Sequence, residues 1–154
     1  MPMTLDQIKN QLSAIEPDDS TYSGIGTSEI PFLDQLLQDK EVWMASRAVF
    51  ALSRVSDVNA VTILSRATAD PRQEVRVAVA ASVSNLKPQD ANNILLKLLT
   101  DTELGVRKFA VQAVSGAHNA AVHAKLRDIE TRDPAPPIRD VAKDKLRELK
   151  LIGQ

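Results

Sequence analysis

The sequence predicts an all-α solenoid of four helical hairpins behind one extra N-terminal helix, and three observations predict it. Four aspartates, Asp39, Asp70, Asp101 and Asp133, stand 31, 31 and 32 residues apart. Five positions after each comes an apolar residue, Met44, Val75, Val106 or Ile138, that opens an alanine-rich run of helical spacing. The chain is 44% hydrophobic but only 3% aromatic, which suits thin aliphatic layers better than a bulky globular centre. A unit of this length cannot bury its own apolar face, so successive units must stack.

Taken in order, Thr4 caps a first helix whose Leu5, Ile8, Leu12 and Ile15 recur at helical spacing and which ends ahead of Pro17. Residues 16–29 collect turn formers and two of the five glycines, and read as a long loop. Residues 1–30 are therefore expected to be a capping helix and loop, and 31–154 the repeat array. First helices are expected at about 31–38, 58–68, 91–100 and 120–131, and second helices at about 41–55, 73–86, 104–117 and 137–149. Leu33 and Leu36 in the first unit, Leu64 and Ala67 in the second and Leu95 and Leu98 in the third hold one register, which slips by one at Leu126 and Ile129. The extra residue of the last spacing is thereby placed near 131–133.

Counting Met44, Val75, Val106 and Ile138 as position 0 of each second helix, positions 0, +4 and +8 share one face and form the expected core. Positions +5 and +7 flank it: Val49 and Ala51, Ala80 and Ser82, Val111 and Ala113, then Lys143 and Lys145. Lysine at both flanks is expected where no further repeat packs, so the last hairpin reads as a terminal cap.

With 19 basic and 20 acidic residues the net charge is −1, and no overall field draws the chain to nucleic acid or an anionic membrane. There is no cysteine, so disulfides, thiolate metal sites and a cysteine nucleophile are excluded. No apolar leader and no spanning segment is visible, and a cytoplasmic location is expected.

An aspartate in the turn followed by Val-Arg-x-x-Ala-x-x-Ala resembles the HEAT repeat, and most closely the short bacterial type found in phycobilisome lyase proteins. Val75-Arg76, Val106-Arg107-x-x-Ala110-x-x-Ala113 and Ile138-Arg139-x-x-Ala142 carry the resemblance, which covers about residues 31–149. It implies a right-handed superhelix used chiefly to bind other macromolecules. The first unit departs from the pattern, with Ala45 in the arginine place and Arg47 two positions later. In HEAT-like arrays the aspartate caps the second helix and the arginine reaches an aspartate of an adjacent unit. Asp39, Asp70, Arg76, Asp101, Arg107, Asp133 and Arg139 are expected to form such a structural ladder rather than a site.

Nothing in the chain points to catalysis, a metal or a cofactor. His118 and His123 are five apart, which does not place two ligands on one helical face, and the His-Glu pairs of the HEAT-like deoxyhypusine hydroxylases do not occur. Gly24-Ile-Gly26 lacks the third glycine and the preceding strand of a phosphate loop. No serine stands in a Gly-x-Ser-x-Gly elbow. Nucleic-acid binding is not favoured either, because the arginines it would need are claimed by the ladder.

The expected function is that of a non-enzymatic scaffold that binds a partner protein on the concave face of the second helices. The alternatives are an accessory lyase-type subunit or a nucleic-acid-binding module. Positions +2, +6 and +9 should line that face: Ser46, Phe50 and Ser53; Val77, Ala81 and Ser84; Lys108, Gln112 and Ser115. Trp43 and Arg47 border Phe50 as candidate anchors. An alternative leaves Trp43 and Phe50 as core beneath the N-terminal cap.

Overall fold

The computed structural model describes residues 2–152, with side chains described to residue 150. Its α-helices are α1 (Leu5–Leu12), α2 (Ile30–Leu36), α3 (Val42–Ser53), α4 (Val58–Ala67), α5 (Gln73–Ser82), α6 (Pro88–Leu99), α7 (Leu104–Ala113), α8 (Ala120–Arg132) and α9 (Pro136–Ile152). No strand is present among the described residues. From α2 onward the helices pair into four hairpins. The second helices α3, α5, α7 and α9 pack on one another in order, as do the first helices α2, α4, α6 and α8. α1 lies against α2 and α3 at the head of this stack. The result is an α-solenoid of HEAT-like hairpins.

Local chemistry sets the helix starts. Thr4 Oγ1 accepts the Gln7 amide while the Gln7 side chain accepts the Thr4 amide, a reciprocal cap for α1. Asp57 caps α4 through the Asn59 amide at 2.7 Å, Asn119 caps α8 through the Val122 amide at 3.0 Å, and Pro31 and Pro88 stand in the first turns of α2 and α6. The second helices use another device. Asp39, Asp70, Asp101 and Asp133 each accept, through Oδ1, the amide two residues on, all at 2.9 Å. Each aspartate thus folds the turn that aims its second helix.

The extra residue of the fourth unit is absorbed at the end of α8. The amides of Asp39, Asp70 and Asp101 donate three residues back, to Leu36, Ala67 and Leu98, closing the turn in 3₁₀ fashion. The amide of Asp133 donates four residues back, to Ile129 at 3.1 Å, so α8 runs one residue further before the same turn.

The core is one continuous aliphatic seam from Ile8 to Ala142. Positions 0, +4 and +8 are buried throughout, except that Leu146 is only partly covered. Several second helices are shorter than their periodicity suggests. α5 passes into a 3₁₀ turn at Val83–Asn85, and α7 stops where Val114 turns extended at ψ 132°. The 16–29 segment is more ordered than its composition implies. It holds 3₁₀ turns at Asp19–Tyr22 and Thr27–Glu29, with Thr21 and Glu29 buried, and Gly24 takes the positive φ of 77° that the bend between them requires.

Candidate functional site

Along one edge of the stack, where each turn enters its second helix, carboxylates and guanidiniums form a regular ladder. Arg76 Nε and Nη2 donate to the two carboxylate oxygens of Asp101 at 2.8 and 3.2 Å, and its Nη1 donates to the carbonyl of Asp70 at 2.7 Å. Arg107 repeats this one unit later, on Asp133 at 2.8 and 3.0 Å and on the carbonyl of Asp101 at 2.9 Å. Each arginine therefore ties the turn of its own unit to that of the next. Bidentate guanidinium–carboxylate pairs are directional, so the ladder sets the register between hairpins as well as contributing energy.

The first unit has no arginine in this place, and the structure shows what replaces it. Arg72, at the head of α5, donates Nε and Nη2 to the carboxylate of Asp70, both at 3.0 Å. Its Nη1 and Nη2 then reach back to the carbonyls of Asp39 and Leu37 at 2.9 and 2.7 Å. Approached from the other side, the same two turns are joined. Sequence reasoning missed Arg72 because it lies outside the repeated motif. The signal available was the loss at position 45 together with an arginine two residues after Asp70. Asp39, the first rung, meets Lys9 Nζ of α1 at 3.3 Å, so the leading helix supplies the cation there.

Asp70 and Asp133 titrate accordingly. Burial of Asp70 and Asp133 opposes their charged form, but the hydrogen bonds and charges of Arg72 and Arg107, with the turn amides, outweigh it and hold both below the usual carboxylate range. His118 is held below the usual imidazole value, first by burial and then by the nearby His123. Depressed carboxylates contribute stability that is complete above the unfolded-state value and disappears as pH falls through the folded one. A depressed histidine likewise loses stability as pH falls below its unfolded value near 6.5. Urea midpoints are therefore expected to decline below about pH 6.5 and more steeply below about pH 4. A midpoint that stays flat down to pH 3 would contradict the ladder's electrostatics.

The face of the second-helix layer turned away from the first helices carries most of the +2, +6, +9 stripe. Ala81, Ser84, Lys108, Gln112 and Ser115 are exposed, and Ser46, Phe50 and Val77 are half-buried. Ser53 is not on this surface. It is 2% exposed, donates to the carbonyl of Phe50 at 2.7 Å and accepts from Asn85 Nδ2 at 3.0 Å, because the last turn of α3 folds in against the end of the next unit. Between α5, α7 and α9 the face sinks into an open trough of about 520 Å³, floored by Ala80, Ala81 and Ala113 and walled by Phe109, Gln112 and Leu149. Phe109 is 39% exposed there and was absent from the expected stripe, since position +3 was not assigned to the surface.

Arg47 is not a free anchor. Its Nη1 donates to the carbonyls of Leu12 and Ala14, capping the C-terminal end of α1, and its guanidinium lies 5.2 Å over the Trp43 ring. Position +3 faces back along the stack, so Arg47 is committed to the N-terminal cap. Trp43 remains 44% exposed beside it, and Phe50 packs half-buried against the core. The same geometry corrects the reading of Lys145. That side chain is only 13% exposed, pairs with Glu148 at 3.3 Å and borders the trough with α7, so the +7 flank faces the preceding repeat. Only the Lys143 flank looks outward.

The histidines are half-buried rather than free in solvent. His118 Nδ1 accepts the Ser115 amide at 2.9 Å, and His123 Nε2 lies 2.9 Å from the Ser115 carbonyl, so together they pin the turn between α7 and α8. Gly26 donates its amide to Glu29 at 2.9 Å within the second 3₁₀ turn, which leaves no cradle for phosphate. Among the described residues, no three or more acidic, histidine or cysteine side chains converge on a possible metal position, and no helix is long and apolar enough to cross a membrane.

No curated protein matches the chain. A sequence profile for HEAT repeats matches residues 61–147, more than half of the molecule and the region where the Arg76 and Arg107 rungs recur. HEAT repeats in general mediate protein–protein interaction. With hairpins, ladder and sequence profile in agreement, the chain belongs to the HEAT-repeat family.

Proposed function

We propose that the protein is a non-enzymatic interaction module, acting in the cytoplasm, that binds a helix or apolar segment of a partner protein along the concave face of its second helices. The trough between α5, α7 and α9 carries this reading. It is open, about 520 Å³, mostly apolar at its floor, and flanked by the exposed ring of Phe109. Aromatic side chains beside small residues are the usual anchors of helix-in-groove recognition. The small side chains of Ala81 and Ala113 leave room for a guest backbone to approach closely. A stack held in register by bidentate rungs needs little reordering on binding, which lowers the entropic cost of association. The 31–32-residue spacing supports placing the chain near the short bacterial type of HEAT-like repeat. The nucleic-acid alternative is weakened because Arg72, Arg76 and Arg107 are each held by a carboxylate.

The test is a photo-reactive amino acid at Gln112, in the trough, compared with one at Asn93 on the first-helix layer, each expressed in the native host. A discrete adduct is expected from position 112 and not from 93. Against the partner so captured, Phe109→Ala is expected to weaken binding about tenfold or more. Ala81→Glu should do the same by filling the floor, both with unchanged far-UV circular dichroism. Equal cross-linking from both positions, or undiminished binding by both variants, would refute this reading.

A further inference from the structure

The two ends of the stack differ in one chemical respect. At the head, the first rung is closed, Asp39 being paired with Lys9 of α1. At the tail, Arg139 donates Nη1 to its own unit's Asp133 carbonyl at 2.6 Å, as Arg76 and Arg107 do to theirs. In those two the remaining fork, Nε and Nη2, grips the aspartate of the following hairpin. In Arg139 that fork has no acceptor among the described residues.

The face of α9 that carries the open fork holds a row of cations, bordered by the exposed Asp140 and Asp144. Positions +1 and +5 of the second helices face onward along the stack, and Val49, Ala80 and Val111 at +5 are all 0% exposed beneath the next unit. In α9 these positions are Arg139 and an exposed Lys143. Arg147 and Lys150 continue the same face at helical spacing. Arg147's acidic neighbour, Asp144, is 3.6 Å away with both side chains mostly exposed, a weak pairing that leaves the guanidinium available. A lysine where earlier units bury valine or alanine does not suit another aliphatic hairpin. It suits an acidic one.

We propose that this end face docks a partner protein through an acidic turn whose aspartate caps a helix, Arg139 receiving that carboxylate as Arg107 receives Asp133. The rung geometry is present twice in the molecule and defines the acceptor: two carboxylate oxygens level with the guanidinium fork, at the start of a helix. Lys143 and Arg147 then select partners with further acidic residues on the following turns. A second copy of this chain is a poor occupant, because its own head rung is closed by Lys9 and covered by α1, and its tail is like-charged.

The experiment uses the full chain and a synthetic peptide with aspartate at a helix-capping position and glutamates four residues apart. A control peptide carries asparagine and glutamine in their place. The probes are the Arg139 Nε–Hε resonance in the proteins that keep the arginine and the heat of binding in all of them. Saturable movement with the acidic peptide alone is expected, weakened by added salt, with affinity about tenfold lower for Arg139→Gln and for Lys143→Glu. Lys143→Glu touches no core contact and keeps the test valid should Arg139→Gln fold poorly. Phe109→Ala, in the trough, is expected to leave this binding unchanged, which separates the end face from the proposed function above. Equal binding of the control peptide, or full affinity in both charge variants, would overturn the proposal. So would concentration-dependent movement of the resonance without peptide, since a second copy would then be the occupant.

Discussion

Replacing Arg107 with alanine is expected to lower the free energy of unfolding by about 3–5 kcal/mol, the cost of stranding a buried charge. The Asp133 side chain that it grips is only 3% exposed, and Arg107 itself 10%. Removing the guanidinium leaves a carboxylate with the Ala135 amide as its remaining donor in a site too enclosed for water to compensate fully. It also releases the carbonyl of Asp101 and so loosens the junction between the third and fourth hairpins. For a domain of this size the expected fall in melting temperature is about 10 °C. Arg107→Lys restores the charge but not the fork, and should recover only part of the loss. Thermal and urea unfolding of the three proteins checks this, and a loss below about 1 kcal/mol in Arg107→Ala would show the pair to be energetically idle.

The second large effect concerns the substitute rung. Arg72→Ala is expected to cost about 2–4 kcal/mol, somewhat less than Arg107→Ala, because Arg72 is 28% exposed while Asp70 is 6%. The informative variant is the double substitution Arg72→Ala with Ala45→Arg. Position 45 corresponds to Arg76 and Arg107, from which those side chains reach the next aspartate. An arginine there is expected to regain Asp70 and recover a good part of the lost stability, whereas Ala45→Arg alone should be destabilising, since Ala45 is fully buried and Asp70 is already engaged. If the double variant is no more stable than Arg72→Ala, then Arg72 is not standing in for the missing rung.

These residues also show what could be read from the chain. The hairpin order was legible because 31-residue spacing and the 0, +4, +8 face are long-range regularities that survive local irregularity, and those positions form the core. Helix ends were less legible. α5 gives way to a 3₁₀ turn at Val83 and α7 ends at Ala113, a few residues ahead of Pro88 and Gly116, so the breakers visible in the sequence overstate the length of both helices. Of the expected stripe, Ala81, Lys108 and Gln112 lie exposed on regular stretches of helix and Val77 is half-buried, whereas Ser53 is buried where the last turn of α3 bends inward. Arg47 and Lys145 were misplaced for a common reason: periodicity says which residues share a face but not which neighbour that face meets. Arg72 was invisible to a motif-based reading because the compensation comes from the opposite partner of the broken rung.

The rungs act as energetic couplings between hairpins and not as coincidental surface pairs. A double-mutant cycle on Arg107→Ala and Asp133→Ala, followed by urea unfolding, measures that directly. A coupling energy of about 2–3 kcal/mol is expected, with the double variant much less destabilised than the sum of the singles. Additivity within about 0.5 kcal/mol would contradict it.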